Sequence, residues 1–297
     1  MEVRTMNEEM NSNPVKRGLV MEGGAMRGLF TSGVIDVMME NGIEFDGAIG
    51  VSAGATFGCN YKSRQIGRAV RYCAAYCNDE RFASLDSLRR TGDIYGAEFC
   101  YRTIPNELDP FDYETFEKNP MAFYVVATDI ETGKPVYHRC YDCGEYDLEW
   151  MRGSASMPLV SRIVEVGGRK LLDGGMSDSI PLAGFEKLGY NRNVVILTQP
   201  LGFIKHKNEY MVPIRIKYKK YPKLIEAIGN RHKKYNAQTT YIRKKELEGQ
   251  VFVIRPPQAL GVGSLERNAS EIMRVYEIGR RTMQERIEEL KEFMNKA

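Results

Sequence analysis

The sequence predicts an α/β domain with a mainly parallel sheet. Residues 17–75 alternate strand, loop, helix and strand, in the order that forms a right-handed β-α-β crossover. Two further short apolar runs, NVVILTQP at 193–200 and VFVIRPP at 251–257, are typical of buried strands. The 297-residue chain is 43% hydrophobic, so it can bury a large core, as one domain or as a domain with an appendage.

The first unit begins with a predicted strand at residues 17–21, followed by a glycine loop and a helix. Apolar side chains recur at helical spacing between residues 29 and 38, and Gly42 is placed to end that helix. A second strand runs through Ile49 and Val51, and small residues follow it. Because the carboxyl ends of parallel strands share one edge of a sheet, the loop at 22–28 and the turn at 50–54 should face a common crevice.

The remaining elements follow from shorter patterns. An ETGK turn predicts a hairpin over 122–140, Gly167-Gly168 predicts another over 161–175, and residues 146–159 are expected to be helical. The C-terminal stretch 264–297 carries a helical stripe that we expect to face the core, formed by Ile272, Tyr276, Met283, Ile287, Leu290 and Met294.

Charge is concentrated in residues 205–245, which we call the basic segment. It holds thirteen Lys or Arg residues and two acidic residues, although the whole chain has a net charge of only +3. Either it is a solvated helix face, or it contacts the anionic headgroups of a membrane surface. Nucleic acid is not an expected partner, because the positive charge is confined to one segment of a nearly neutral protein.

The N-terminus and the cysteines suggest a reducing compartment. Residues 1–17 lack the apolar region of a secretory signal, so we expect a cytoplasmic protein, peripheral to the inner membrane face if the basic segment binds lipid, with six free thiols. Cys73 and Cys77 should share a buried helix face. Cys140, Cys143 and His138 resemble a metal site, but a structural zinc needs four ligands and no second CxxC exists, so no metal is expected.

Gly50-Val51-Ser52-Ala53-Gly54 is a GxSxG motif between a predicted strand and a predicted helix. In that context the motif forms a nucleophile elbow, in which a strained turn exposes the serine hydroxyl to a carbonyl carbon. The alternative is a close-packed turn with no chemistry.

The glycine loop supplies what such a serine would need. Attack on an ester creates an oxyanion, and free backbone N–H groups at a helix N-terminus stabilise it. We expect Gly24 and Ala25 to donate, with positive charge from Arg27. A nucleotide site fits less well, because the chain has no GxxxxGK[ST] motif and the loop lacks the middle glycine of GxGxxG.

A base for Ser52 is less obvious. His138, His206 and His232 are the only histidines, and none has a convincing loop context. Asp173 ends a strand and is followed by two glycines that let its carboxylate face a crevice. For Asp129 and Asp178, roles in turns or helix caps are expected.

The motifs GGAMRG, GVSAG and DGG, in this order, resemble those of the patatin-like phospholipase family, whose catalytic pair is Ser and Asp without histidine. GSASMPLV at 153–160 resembles that family's block before the DG motif, and the match covers residues 17–200. One departure is Ala25, where the family commonly has a third glycine. Alanine should serve there if its φ is negative.

The resemblance implies a three-layer α/β/α sandwich and hydrolysis of lipid acyl esters. Carried over by motif, Ser52 is the nucleophile and Asp173 the base, whose pKa a dry crevice must raise. The oxyanion loop comprises Gly23, Gly24, Ala25, Met26, Arg27 and Gly28. The supporting glycines are Gly50, Gly54, Gly174 and Gly175.

These observations lead to one expected organisation and function. Residues 1–16 form a tail, residues 17–200 the catalytic domain, and residues 201–297 a basic, helical extension packed on the core, similar to that of bacterial relatives of the family. The expected activity is cleavage of phospholipid or lysophospholipid acyl esters without a cofactor. The alternative is a non-catalytic lipid- or nucleotide-binding regulator that kept the fold.

Overall fold

The computed structural model describes residues 14–296, so most of the predicted N-terminal tail lies outside the described residues. Within that range a single sheet contains eight strands. They are β1 (Arg17–Met21), β2 (Gly47–Val51), β3 (Ala122–Asp129), β4 (Lys134–Cys140), β5 (Val164–Val166), β6 (Arg169–Asp173), β7 (Arg192–Ile196) and β8 (Val251–Ile254).

The strand order is β5-β6-β3-β2-β1-β7-β8, with β4 paired to β3. The run from β3 through β2, β1 and β7 to β8 is parallel, which confirms the predicted mainly parallel sheet. β4, β5 and β6 join by antiparallel pairing. The register aligns Val51 with Val126 and Ala127 with Asp173. The end of β2 and the end of β6 therefore meet at the same point of the sheet.

The helices connect and cover the strands. They are α1 (Gly28–Glu40), α2 (Ala53–Thr56), α3 (Cys59–Lys62), α4 (Arg68–Tyr76), α5 (Leu85–Thr91), α6 (Tyr113–Lys118), α7 (Glu145–Ala155), α8 (Leu182–Lys187), α9 (Met211–Lys217), α10 (Pro222–Leu247), α11 (Ala269–Gln284) and α12 (Ile287–Asn295). Short 3₁₀ turns occupy Ala25–Arg27 and Gly174–Met176, and Phe99–Leu108 is π-helical.

Helices pack on both faces of the sheet and form a three-layer sandwich. Successive strand residues point to opposite faces, so Leu19 and Met21 join the core under α1, α4, α11 and α12. Val20 points the other way, into the core formed with α8 and α10. Both faces of the sheet are therefore buried, as expected for a parallel sheet.

The C-terminal helices pack closely on the first helix. A Cβ atom on Gly33 of α1 would lie 2.1 Å from the carbonyl oxygen of Tyr276, and one on Gly279 of α11 would lie 2.1 Å from that of Phe30. Glycine at both positions lets the two backbones touch. Together with β8, this contact makes the C-terminal region part of the core.

Two sequence-based boundaries were wrong. The helix predicted over 146–159 ends at Ala155, because Pro158 disfavours helical geometry in the residue before it. The stripe predicted over 264–297 is divided between α11 and α12, and Ile287 is only half-buried although its other members are buried.

The six cysteines are free thiols, and Cys73 and Cys77 are both buried, as predicted. Among the helices of residues 14–296, none has the length and hydropathy needed to cross a bilayer.

Candidate active site

Ser52 lies at the tip of a strained turn between β2 and α2. Its backbone has φ 54° and ψ −122°, a left-handed conformation that residues other than glycine rarely adopt. The glycines of the motif allow this turn. A Cβ atom on Gly50 would lie 2.3 Å from the carbonyl oxygen of Gly54, and one on Gly54 would lie 2.4 Å from that of Met21. The geometry is that of a nucleophile elbow.

Ser154 holds the elbow in place. The backbone N–H of Ser52 donates to Ser154 Oγ at 2.9 Å, and the Ser154 hydroxyl donates to the carbonyl oxygen of Val126 at 2.5 Å. Ser154 is fully buried on α7. Sequence reasoning gave this serine no role, although it lies in the GSASMPLV block, which was the available signal. Its position makes it a positioning residue for Ser52.

Asp173 stands beside Ser52 at the end of β6. Burial raises the pKa of the Asp173 carboxyl, while the nearby Arg231 charge, the Gly175 backbone N–H and the neighbouring Ser52 side chain act in the opposite direction. The Gly175 N–H donates to Asp173 Oδ1 at 2.7 Å. Raising the pKa of a carboxylate makes it a better base.

The two glycines after Asp173 are also required by close packing. A Cβ atom on Gly174 would lie 2.1 Å from the carbonyl oxygen of Val126, and one on Gly175 would lie 2.9 Å from Asp173 Oδ1. A larger residue at either position would displace the carboxylate or the neighbouring strand.

The glycine loop borders the same crevice. A Cβ atom on Gly23 would lie 3.0 Å from Ser52 Cβ, so this loop touches the elbow. The N–H of Arg27 closes the turn on the Gly24 carbonyl at 3.1 Å. Over residues 14–296, no acceptor receives the N–H groups of Gly23, Gly24, Ala25 or Met26. Free N–H groups beside a serine are what an oxyanion requires.

The condition set for Ala25, a negative φ, is not met. Its φ is +48°, at the first residue of the 3₁₀ turn. A left-handed conformation costs an alanine about 1–2 kcal/mol, a penalty that glycine does not incur. The loop therefore stores strain at this position.

The histidines lie away from Ser52. His138, on β4, shares a hydrogen bond with Asp147 at 2.7 Å and stacks on Trp150 with ring centroids 4.5 Å apart. His206 is exposed and His232 half-buried. Among the described residues, no histidine lines either of the two pockets that contain Ser52.

Asp129 and Asp178 make structural contacts. Asp129 accepts from two backbone N–H groups of the following turn and pairs with Arg169 at 2.9 Å. Asp178 is buried and accepts from the Tyr137 hydroxyl at 2.6 Å and from Gln238. Asp178 thereby joins β4 to α10. This role differs from the turn or helix-cap role expected from the sequence.

His138, Cys140 and Asp147 place one potential ligand atom each within 4.8 Å of one another. Sequence reasoning had grouped His138 with Cys140 and Cys143 instead. Both Asp147 oxygens already accept hydrogen bonds, one shared with His138 and the other from three backbone N–H groups at 141–143. The cluster ties this turn to α7.

Two pockets of different character meet at Ser52. Ala25, Ser52 and Met157 line both of them. The first pocket is mainly apolar, and its aromatic lining comprises Phe57, Tyr72, Phe82, Tyr95, Tyr101, Phe111 and Tyr113. The second is polar, and its charged and hydroxyl lining includes Glu22, Arg27, Asp173, Lys205, Arg231 and Tyr235. A molecule with an apolar and a polar end could therefore place its junction at Ser52.

Two family models match the chain. One described as "Patatin-like phospholipase" matches residues 19–185, and one described as "Domain of unknown function (DUF6363)" matches residues 221–295.

Curated proteins from bacteria and fungi are also similar. The uncharacterized protein YjjU of Escherichia coli (strain K12) is 27% identical over 280 residues, which are 90% of this chain and 76% of that protein. The uncharacterized NTE family protein Rv1063c of Mycobacterium tuberculosis is 28% identical over 58% of this chain and 46% of its own length. Lysophospholipase nte1 of Aspergillus terreus is 31% identical over 58% of this chain, but the match covers 11% of that protein.

Proposed function

The chain belongs to the patatin-like phospholipase family, and we propose that it is a serine hydrolase that cleaves fatty-acyl esters of phospholipids or lysophospholipids. The observation that carries the proposal is the position of Ser52. It lies beside Asp173, at the junction of an apolar and a polar pocket. The fungal relative is named a lysophospholipase, which agrees with this substrate class.

In the proposed reaction, Asp173 accepts the proton of the Ser52 hydroxyl as Oγ attacks the acyl carbonyl carbon. The N–H groups of Gly24 and Ala25 stabilise the resulting oxyanion, and Arg27 adds positive charge nearby. Collapse of the tetrahedral intermediate breaks the ester bond, and Asp173 returns the proton to the departing alcohol. Water then attacks the acyl-enzyme by the same route and releases the fatty acid.

The apolar pocket suits the acyl chain. Its aromatic side chains line one side of the approach to Ser52, whereas Asp173, Lys205 and Arg231 line the other. An acyl chain in this pocket would displace water from the apolar side of Ser52. On the polar side, burial already raises the pKa of the Asp173 carboxyl, as this mechanism needs.

The substrate class is tested by fatty-acid release. Purified protein is incubated with a phosphatidylcholine, a lysophosphatidylcholine, a monoacylglycerol and a triacylglycerol that carry the same acyl group. We expect free fatty acid from at least one of the two phospholipids, since both combine an acyl chain with a polar headgroup. If neither phospholipid is cleaved while a neutral glyceride is, the proposed substrate class is wrong.

We also propose that the basic segment brings the protein to anionic membranes. Lys219, Lys220, Lys233 and Lys234 are exposed. On the neighbouring α9, Val212 and Ile216 are 64% and 71% exposed, although Ile214 of the same helix lines the polar pocket. Exposed apolar side chains beside cations are typical of surfaces that rest in a lipid interface. This surface lies next to the polar pocket, which Ser52 and Ile214 both line.

Charge reversal tests the membrane proposal. Replacing Lys219, Lys220, Lys233 and Lys234 by Glu should weaken binding to anionic vesicles, measured by sedimentation, by about 10³-fold or more, because each cation near the surface contributes about 1 kcal/mol. Hydrolysis of vesicle lipid should fall with it, while turnover of a soluble p-nitrophenyl ester continues. Raising the salt should weaken wild-type binding in the same way. Unchanged sedimentation would make the segment a solvated helix face.

A further inference from the structure

The polar pocket beside Ser52 contains three cations that lack a carboxylate partner. Arg27, Lys205 and Arg231 all line it. Within the described residues, none of the three lies within ion-pair distance of an acidic side chain. The Arg27 Nε atom is buried and donates no hydrogen bond. Such a grouping of unpaired positive charge favours the binding of an anion.

The fold fixes these cations from separate elements. Arg27 belongs to the glycine loop. Arg231 lies on α10, and its Nε donates to the carbonyl oxygen of Gly175 at 2.6 Å, so its charge acts on Asp173. Lys205 precedes α9, and its backbone is bonded in both directions to the Asn236 side chain, at 2.9 and 3.1 Å. The fold therefore fixes the backbone positions of all three cations around the pocket.

The acids that face the pocket do not neutralise it. Glu22 is buried, with one oxygen accepting from the Tyr235 hydroxyl at 2.7 Å and the other from the Thr198 N–H at 2.6 Å. Burial raises the pKa of Glu22 and of Asp173. Even when both acids are ionised, two carboxylates face three cations, so the pocket keeps a net positive charge.

The crowding of positive charge is visible at Lys205. Burial, followed by the charges of Arg231 and Arg27, lowers the pKa of its ammonium to about 8, although Glu22 acts in the opposite direction. Its Nζ atom lies 4.7 Å from the ring centroid of Tyr235. A bound anion would relieve this repulsion.

We propose that Arg27, Lys205 and Arg231 bind the phosphate group of the substrate, while its acyl chain occupies the apolar pocket. This inference rests on the proposed function, and it makes phosphate-bearing acyl esters better substrates than neutral glycerides. Guanidinium groups match the oxygens of a phosphate, and an ammonium adds a point charge. Two of the three cations follow residue 200, so the C-terminal extension completes the substrate site of the catalytic domain.

The test compares two monomeric substrates with one acyl chain, a lysophosphatidic acid and a monoacylglycerol. For the wild type, kcat/KM should be higher for the phosphate-bearing ester. Lys205→Met keeps the apolar stem but removes the charge, and it should lower the ratio of the two kcat/KM values by about 10-fold or more. Lys207→Met is the matched control, because Lys207 is exposed and does not line the pocket. Its ratio should equal that of the wild type.

A second arm needs no turnover. Inorganic phosphate and glycerol 3-phosphate are titrated into the protein by calorimetry, and both should bind the wild type and the Lys207→Met variant more tightly than Lys205→Met. If phosphate binds but the wild type shows no preference for the phosphate-bearing ester, the pocket holds free phosphate and the substrate assignment is overturned. If neither compound binds, the anion site itself is wrong. If both bind yet no ester is cleaved, the proposed function fails instead.

Discussion

Replacing Ser52 by Ala or Asp173 by Asn is expected to lower kcat on a cleaved acyl ester by about 10⁴-fold or more. Ser52→Ala removes the proposed nucleophile. Asp173→Asn keeps the shape of the side chain but removes the proposed base, which would take up the Ser52 proton in every cycle. Because the two residues act as a unit, the double variant should be hardly worse than either single variant. Circular dichroism and thermal melts should show a retained fold.

The histidines provide the control for this result. Substituting Ala for His138, His206 or His232 should leave most activity in protein that still folds, since none of them borders the Ser52 pockets within residues 14–296. His138→Ala is expected to reduce stability, because that ring stacks on Trp150. A folded histidine variant as inactive as Asp173→Asn would replace the dyad by a triad.

Gly23→Ala is expected to lower kcat/KM by about 10²-fold, the second largest effect. The added Cβ atom would lie 2.8 Å from the carbonyl oxygen of Val51 and 3.0 Å from Ser52 Cβ. The first distance is too short for a real contact, so the glycine loop or the elbow must move. A displacement of about 1 Å between a nucleophile and its oxyanion donors is enough for such a loss.

Gly263→Ala is the matched control for Gly23→Ala. A Cβ atom at Gly263 would meet its nearest neighbour, the Leu265 nitrogen, only at 4.0 Å. Its activity should equal that of the wild type. Steady-state kinetics on a soluble ester compare the two variants directly. Equal activity of the two variants would mean that activity does not depend on the distance between the glycine loop and Ser52.

Local motifs predicted the fold and most of the candidate site because each has a strict steric requirement. The elbow forms only with small residues at Gly50 and Gly54, and the turn after Asp173 only with glycines. Each requirement concerns residues that lie close together in the sequence. The strands could also be predicted, because their apolar runs are short and end at turn residues.

Features that depend on tertiary packing were missed. Lys205 and Arg231 were counted with the other cations of the basic segment, yet both line the polar pocket while Lys219 and Lys220 are exposed. Residues 26 positions apart in sequence reach one pocket only through the packing of α10 on the sheet, which charge counting cannot reveal.

The motifs did not reveal two further features of the site. The role of Ser154 depends on its contact with an N–H about a hundred residues away. The residue type did not indicate the positive φ of Ala25, because alanine rarely adopts such a conformation.

Covalent labelling of Ser52 tests the central claim most directly. Folded wild-type protein is treated with a fluorophosphonate, digested, and examined by mass spectrometry. We predict one adduct on the peptide that contains Ser52, lost in Ser52→Ala and formed far more slowly in Asp173→Asn. Folded wild-type protein without an adduct at Ser52 would contradict the assignment and favour a non-catalytic lipid-binding protein.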